Sequence, residues 1–160
     1  MNEVKQLSSE TEINSLLLPL AGRQLIVPAV TVAEMIPYQE PQKENQDLPA
    51  WYLGEIVWRH SRVPCVSYEL MCGDDVPSGN ASCRIAVLNN SGVSERLPFL
   101  AVLTQGIPRL SRVGAEEIHE VADAELKTFD FMHVKHAGEE LVIPDVASIQ
   151  QAVLDMGIAV

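Results

Sequence analysis

From Ser15 onward the apolar residues come in runs too short for globular helices, bounded by turn chemistry, and four pairs of these runs stand at hairpin spacing. LLLPL (16–20) and QLIV (24–27) flank Ala21-Gly22-Arg23, where Gly22 can supply a positive φ. EIVW (55–58) and VPCVS (63–67) flank a cationic knot of Arg59, His60 and Arg62. RIAVLN (84–89) and LPFLAVL (97–103) are apolar enough to be buried on two faces, and FMHVK (131–135) and LVI (141–143) enclose a Gly138 turn. Prolines 19, 28, 64, 98 and 144 fall at or near run ends, where a missing amide donor harms a ladder least. The chain therefore reads as mainly β.

Helical signals are few. In PDVASIQQAVLDM, Asp145 can cap a first turn while Val146, Ile149, Val153 and Met156 recur at spacings of three, four and three, which predicts a C-terminal helix packed on a sheet. GAEEIHEV (114–121) is expected to form one surface turn of helix. Residues 39–49 and 71–82 read as polar linkers, residues 1–13 as a loose leader, 14–156 as one domain of two β subdomains and 157–160 as a tail.

Composition excludes several functions. The 160 residues suffice for one sizeable core, and 47% of them are hydrophobic. Twenty-two acidic against eleven basic side chains give a net charge of −11, which repels phosphate backbones and anionic lipid and points to protein partners rather than nucleic acid or membrane. No apolar run reaches transmembrane length, and the acidic flank before LLLPLAG is unlike a signal peptide, so a cytoplasmic protein is expected and Asn80-Ala-Ser82 is a chance glycosylation match. Three cysteines without a Cys-x-x-Cys suggest reduced thiols.

No catalytic constellation emerges. His133 and His136 would share a face on a helix, but in a strand residues three apart point to opposite faces, so no metal is expected. Cys65 lies near His60 and Arg62, yet its apolar neighbours favour a buried structural thiol over a nucleophile. Phosphate-binding glycine loops and Gly-x-Ser-x-Gly are absent, so no enzyme and no cofactor are expected.

Taken in order, four stretches resemble the CheW-like domain family, the coupling module of bacterial chemosensory arrays. LPLAGRQLIVPAVTVAEMIPY resembles the family opening, with Val32-Ala33-Glu34-Met35-Ile36 as its Val-x-Glu-Ile strand. LPAWYLGEIVWRHSRVPCVSY resembles the core motif at Pro49, Ala50, Gly54, Arg59, Val63, Pro64 and Val66. LAVLTQGIPRLSRVGAEEI matches at Gly106, Ala115, Glu116 and Ile118, with a surface stretch between, and GEELVIPDVASIQQAVL resembles the last hairpin and terminal helix.

The resemblance implies two small five-stranded, SH3-like β-barrels side by side, a hydrophobic groove between them, and a C-terminal helix packed on one. It implies a non-catalytic adaptor that binds the regulatory domain of a CheA-like histidine kinase and the tip of a methyl-accepting chemoreceptor. The partner-binding residues it suggests are Arg59, His60, Glu34, Val32, Gly54, Trp51 and Tyr52, although Arg59 could also tie its own turn at the same time, Val32, Trp51 and Tyr52 could be packing, and Gly54 a backbone requirement.

Three positions depart from the family pattern: its Arg-Gly turn is Arg59-His60, the Asp after the Val-Pro strand is Ser67, and Asp-Gly-Val is Gln105-Gly106-Ile107. A histidine in place of that glycine is expected to need a less demanding backbone or a longer turn. The departures resemble an accessory adaptor of the ChpC kind, from the chemosensory system of type IV pili and twitching motility. A β-barrel module binding a small molecule or peptide between its halves is the alternative.

Overall fold

A computed structural model describes residues 12–75 and 81–157; most of the expected leader and tail, part of the second linker and Asn80 lie outside the described residues. In chain order the elements are β1 (Ile13–Pro19), β2 (Gln24–Pro28), a 3-10 turn (Ala29–Thr31), β3 (Val32–Pro37), β4 (Tyr52–Trp58), β5 (Ser61–Val66) and α1 (Tyr68–Met71). There follow β6 (Arg84–Asn89), β7 (Phe99–Thr104), β8 (Arg109–Val113), β9 (Ile118–Glu120), β10 (Asp130–His136), β11 (Glu139–Pro144) and α2 (Val146–Asp155). All four expected hairpins form: β1–β2, β4–β5, β6–β7 and β10–β11.

The hairpins assemble into two sheets through parallel pairings that no local pattern announces. β11 meets β2 at Val142 and Leu25, giving the order β8-β1-β2-β11-β10-β9. β5 meets β7 at Cys65–Ala101 and Val66–Val102, giving β3-β6-β7-β5-β4. The first sheet thus has six strands rather than the expected five. The sixth is β9, in a segment expected to be helical: Glu117 N–H does bond Gly114 C=O in a single turn, but Ile118 to Glu120 then pair with β10. Likewise the surface stretch expected after Gly106 contains β8, held along β1 from Ile13–Val113 to Leu17–Arg109.

Period-two alternation sends the two faces of the central hairpins into different cores. In the six-stranded sheet Leu17 and Ile26 point into its own interior with Val113, Val134 and Leu141, whereas Leu18, Leu25 and Val27 point towards the other sheet. In the five-stranded sheet Ile85, Val87, Ala101 and Leu103 face its interior with Trp58, while Ala86, Leu88, Leu100 and Val102 face back. A central core is thereby sandwiched between the sheets. α2 completes it with Ile149 and Val153, its first turn capped by Asp145, whose carboxylate accepts from Ser148 N–H at 3.1 Å. Buried Gln150 of α2 anchors the helix to the five-stranded sheet by donating to Asn89 C=O and accepting from Ser91.

Polar bonds join the sheets where α1 leaves β5. Tyr68 donates to Asp130 at 2.6 Å, and the same carboxylate receives Arg23 at 2.5 Å, His133 Nε2 at 2.9 Å and the Lys127 amide at 2.9 Å. Buried Glu69, the next residue of α1, accepts from the Ala21 amide in the β1–β2 turn. Asp130 and His133 can meet, although three apart on a strand, because a bulge between Asp130 and Met132 resets the alternation.

Burial alone would push the Asp130 carboxyl up, but the bonds from Tyr68, His133, Lys127 and Arg23 outweigh it and hold it at about 2, against an ordinary 3.8. A carboxylate depressed in the folded state stabilises the fold fully above its unfolded pKa, and that stability is lost as pH falls through the folded value. Acid titration should therefore remove about 2 kcal/mol between roughly pH 4 and pH 2 through this group. Asp130→Asn should lower denaturant-measured stability at neutral pH and flatten the acid dependence in that window; an unchanged slope there would show that Asp130 does not carry it.

Candidate functional site

The five-stranded sheet curls until its two edge strands, β3 and β4, face each other, and side chains close the seam. The Gln39 amide donates to Val57 C=O and accepts from Val57 N–H, both at 3.0 Å, as a strand backbone would. Farther along, Gln42 and Glu55 exchange a pair of backbone bonds at 2.9 Å. At the hairpin end Glu34 Oε1 on β3 accepts from Trp58 Nε1 at 3.0 Å and from Arg59 Nη2 at 3.1 Å.

These contacts shape the cationic tip. Trp58 is buried, edge-on to Phe99 with ring centroids 4.7 Å apart, and the Arg59 guanidinium lies 4.5 Å over its ring. Arg59 does tie its own turn, yet its side chain remains 67% exposed, so pairing with Glu34 orients the guanidinium without consuming it. His60 and Arg62 flank it, both exposed, with Arg62 3.9 Å from Glu55.

The turn itself contradicts the expectation of a relaxed or lengthened backbone at His60. Trp58 pairs with Ser61, leaving a two-residue loop in which Arg59 has φ +48° and His60 φ +64°. Two-residue loops of this kind need positive φ at both central positions, because that twist matches the strands. The β10–β11 loop solves the same problem with Ala137 at φ +50° and Gly138 at φ +79°. The strain is kept here in non-glycine residues, and histidine is among those that enter the left-handed region most readily.

The other expected partner residues do not gather at the tip. Val32 is half-buried against the central core, beyond a bulge from Glu34. Tyr52 is 4% exposed in that core and Trp51 packs on it half-buried. Gly54 is buried at φ +121°, where a Cβ would come within 3.0 Å of the Gln42 carbonyl and the Lys43 amide. Tyr52 and Gly54 therefore present no side-chain surface to a partner. Conversely, Trp58 was not singled out from the sequence. Its signal was its place directly before the Arg-His turn, where an aromatic can seat the guanidinium.

Elsewhere the chemistry is quiet. Cys65 is fully buried and burial pushes its thiol up to about 12, opposite to what an attacking thiolate needs. His133 and His136 lie on β10, the first on Asp130 and the second 3.9 Å from Glu117. Among the described residues no three His, Cys, Asp or Glu side chains gather as metal ligands, and no helix is long and apolar enough to cross a membrane.

Two curled sheets back to back, a shared core and a terminal helix define a β-rich module of two packed subdomains. The profile of the CheW-like domain family matches residues 14–153, and the chain belongs to that family. Its fold is similar to the crystal structure of the scaffolding protein TtCheW from Thermoanaerobacter tengcongensis, with a TM-score of 0.69 at 13% identity over 82% of this chain and 88% of that one. Among curated proteins, none matches the chain significantly.

Two substitutions test the backbone account. His60→Gly should raise stability by about 1 kcal/mol, a Tm gain of roughly 2–4 °C, with His60→Ala giving no gain as control. Gly54→Ala should cost about 3 kcal/mol or more in a denaturant melt, because both the Cβ clash and the positive φ oppose it.

Proposed function

We propose that this chain is a non-catalytic chemosensory adaptor that couples a chemoreceptor tip to the regulatory domain of a CheA-like histidine kinase in the cytoplasm. Family membership supports the class, and the observation that carries the reading is Arg59: seated on Trp58, oriented by Glu34, and still mostly exposed on an otherwise acidic molecule. A charge held in one geometry loses little entropy on docking, so such a tip favours a complementary acidic surface. The proposed contact surface is Arg59, His60 and Glu34, with Val32, Trp51, Tyr52 and Gly54 setting the shape of the sheet behind it.

The histidine where the family pattern has glycine supports a finer reading, that of an accessory adaptor of the ChpC kind serving type IV pili and twitching motility. On that reading His60 specifies the partner, and its substitution by glycine weakens coupling while making the fold more stable.

Calorimetry against CheA-like regulatory domains and receptor-tip fragments from the same genome is the test. Binding should be detectable, and Arg59→Glu should weaken it at least tenfold while the chain stays folded with a Tm lowered by only a few degrees, since an oriented charge is reversed at the interface and its exposed tie to Glu34 is lost. Binding to none of these fragments, or an Arg59→Glu variant that binds as well as the parent, would sink the proposal.

A further inference from the structure

The two sheets enclose unequal interiors. Five strands surround a cluster of ten buried side chains, among them the ring of Trp58, whereas six strands surround five, Leu17, Ile26, Val113, Val134 and Leu141, with Ile118, Met132 and Ile143 partly buried against them. Beside this smaller cluster lies a cavity of about 350 Å3 at the end of the six-stranded sheet, lined in part by the end of β8, Gly114 and Ala115, and the start of β9. These two edge strands are not paired with each other, in contrast to the seam closed by Gln39 and Glu34 in the other sheet.

We infer that this cavity is a binding site for a neutral, largely hydrocarbon small molecule carrying one hydrogen-bonding group. Its side walls are aliphatic, including Ile26, Val113, Ile118 and Ile143, with exposed Ile13 at the rim, and among the described residues no charged side chain lines it. A charged ligand would be buried there unpaired, at heavy cost. Among the described residues Ser15 is the one polar side chain in the lining; it is 5% exposed, and its hydroxyl donates to the Ile13 carbonyl at a long 3.4 Å. That hydroxyl is poorly engaged and available to a ligand.

Volume decides between a ligand and a partner's side chain. A dry engineered cavity of about 150 Å3 accepts one benzene ring, so this one has room for roughly two rings, and a single inserted side chain would leave half of it empty. Ligand sites of a few hundred Å3 with apolar walls and one placed polar group are the ordinary pattern. The site is independent of the tip at Arg59, and its occupancy requires neither kinase nor receptor.

The probes are 2-naphthol, naphthalene and 2-naphthoate, added to the full chain and followed by calorimetry and by amide chemical shifts. 2-Naphthol should bind with a Kd of about 10–100 µM, shifting amides of Ser15, Gly114 and Ile118, and 2-naphthoate should bind at least tenfold more weakly. Ser15→Ala should lower 2-naphthol affinity roughly threefold to tenfold and leave naphthalene unaffected. Ile118→Trp, placed on a short edge strand at the rim, should fill the space and weaken 2-naphthol at least tenfold while the Tm holds or rises. If that variant fails to fold, Ser15→Ala still decides. No binding of 2-naphthol below about 1 mM, equal binding of 2-naphthoate, or shifts confined to other regions would overturn the assignment.

Discussion

Asp130 is the point on which the two sheets depend. Its side chain is shut away from water, and a bare carboxylate there would be prohibitively unstable. It is tolerable because four donors from separate parts of the chain converge on it: a turn arginine, a helix tyrosine, a strand histidine and a loop amide. Each is placed only if its own element is placed. The bond from Tyr68 therefore links the exit of β5 to β10 across the sheet boundary, and the bond that Glu69 accepts from the Ala21 amide fixes the same short helix to the other hairpin. Apolar packing between the sheets supplies most of the driving force, but it is forgiving of small slides. The carboxylate, with its fixed donors, is what sets one relative position.

The tip at Arg59 rests on comparable logic in a solvated setting. Glu34 belongs to one edge of its sheet and Trp58 to the other, so the pair exists only because the sheet curls. The same closure places a guanidinium on a ring face and points it outwards. A structural role and a binding role for Arg59 are thus not rivals, because the ties to Trp58 and Glu34 are what orient the exposed part.

What the sequence made legible was local. The four hairpins were readable because each is written into adjacent runs and a turn, and the terminal helix because Asp145 and the spacing from Val146 to Met156 are contiguous. The double burial of RIAVLN and LPFLAVL was readable from unbroken apolarity. Strand β9 was hidden because Glu117 folds back on Gly114 much as a helix start would, and only pairing with β10 decides otherwise. Buried Asp130, Glu69 and Gln150 look like surface residues in sequence, since their partners lie far along the chain. At the tip, the family pattern points to Arg59 and Glu34, which the structure pairs, whereas the backbone at His60 follows the twist of the flanking strands rather than the local preference of one residue.

The order of strands has a consequence for how this molecule is made. The five-stranded sheet is built from β3 to β7, an uninterrupted stretch, whereas the six-stranded sheet takes two strands from before that stretch and four from after it. On a ribosome the five-stranded sheet has all its strands in hand once Thr104 has emerged. The hairpin of β1 and β2 must wait, its apolar faces unmatched, until β11 arrives to pair with Leu25 across most of the chain length. Pairings of such long range are slow to form, and a truncated or stalled chain would carry an exposed β1–β2 hairpin beside a finished sheet. The last helix and Asp130 arrive in that same late segment, so the lock between the sheets can form only after the strands it joins have all emerged.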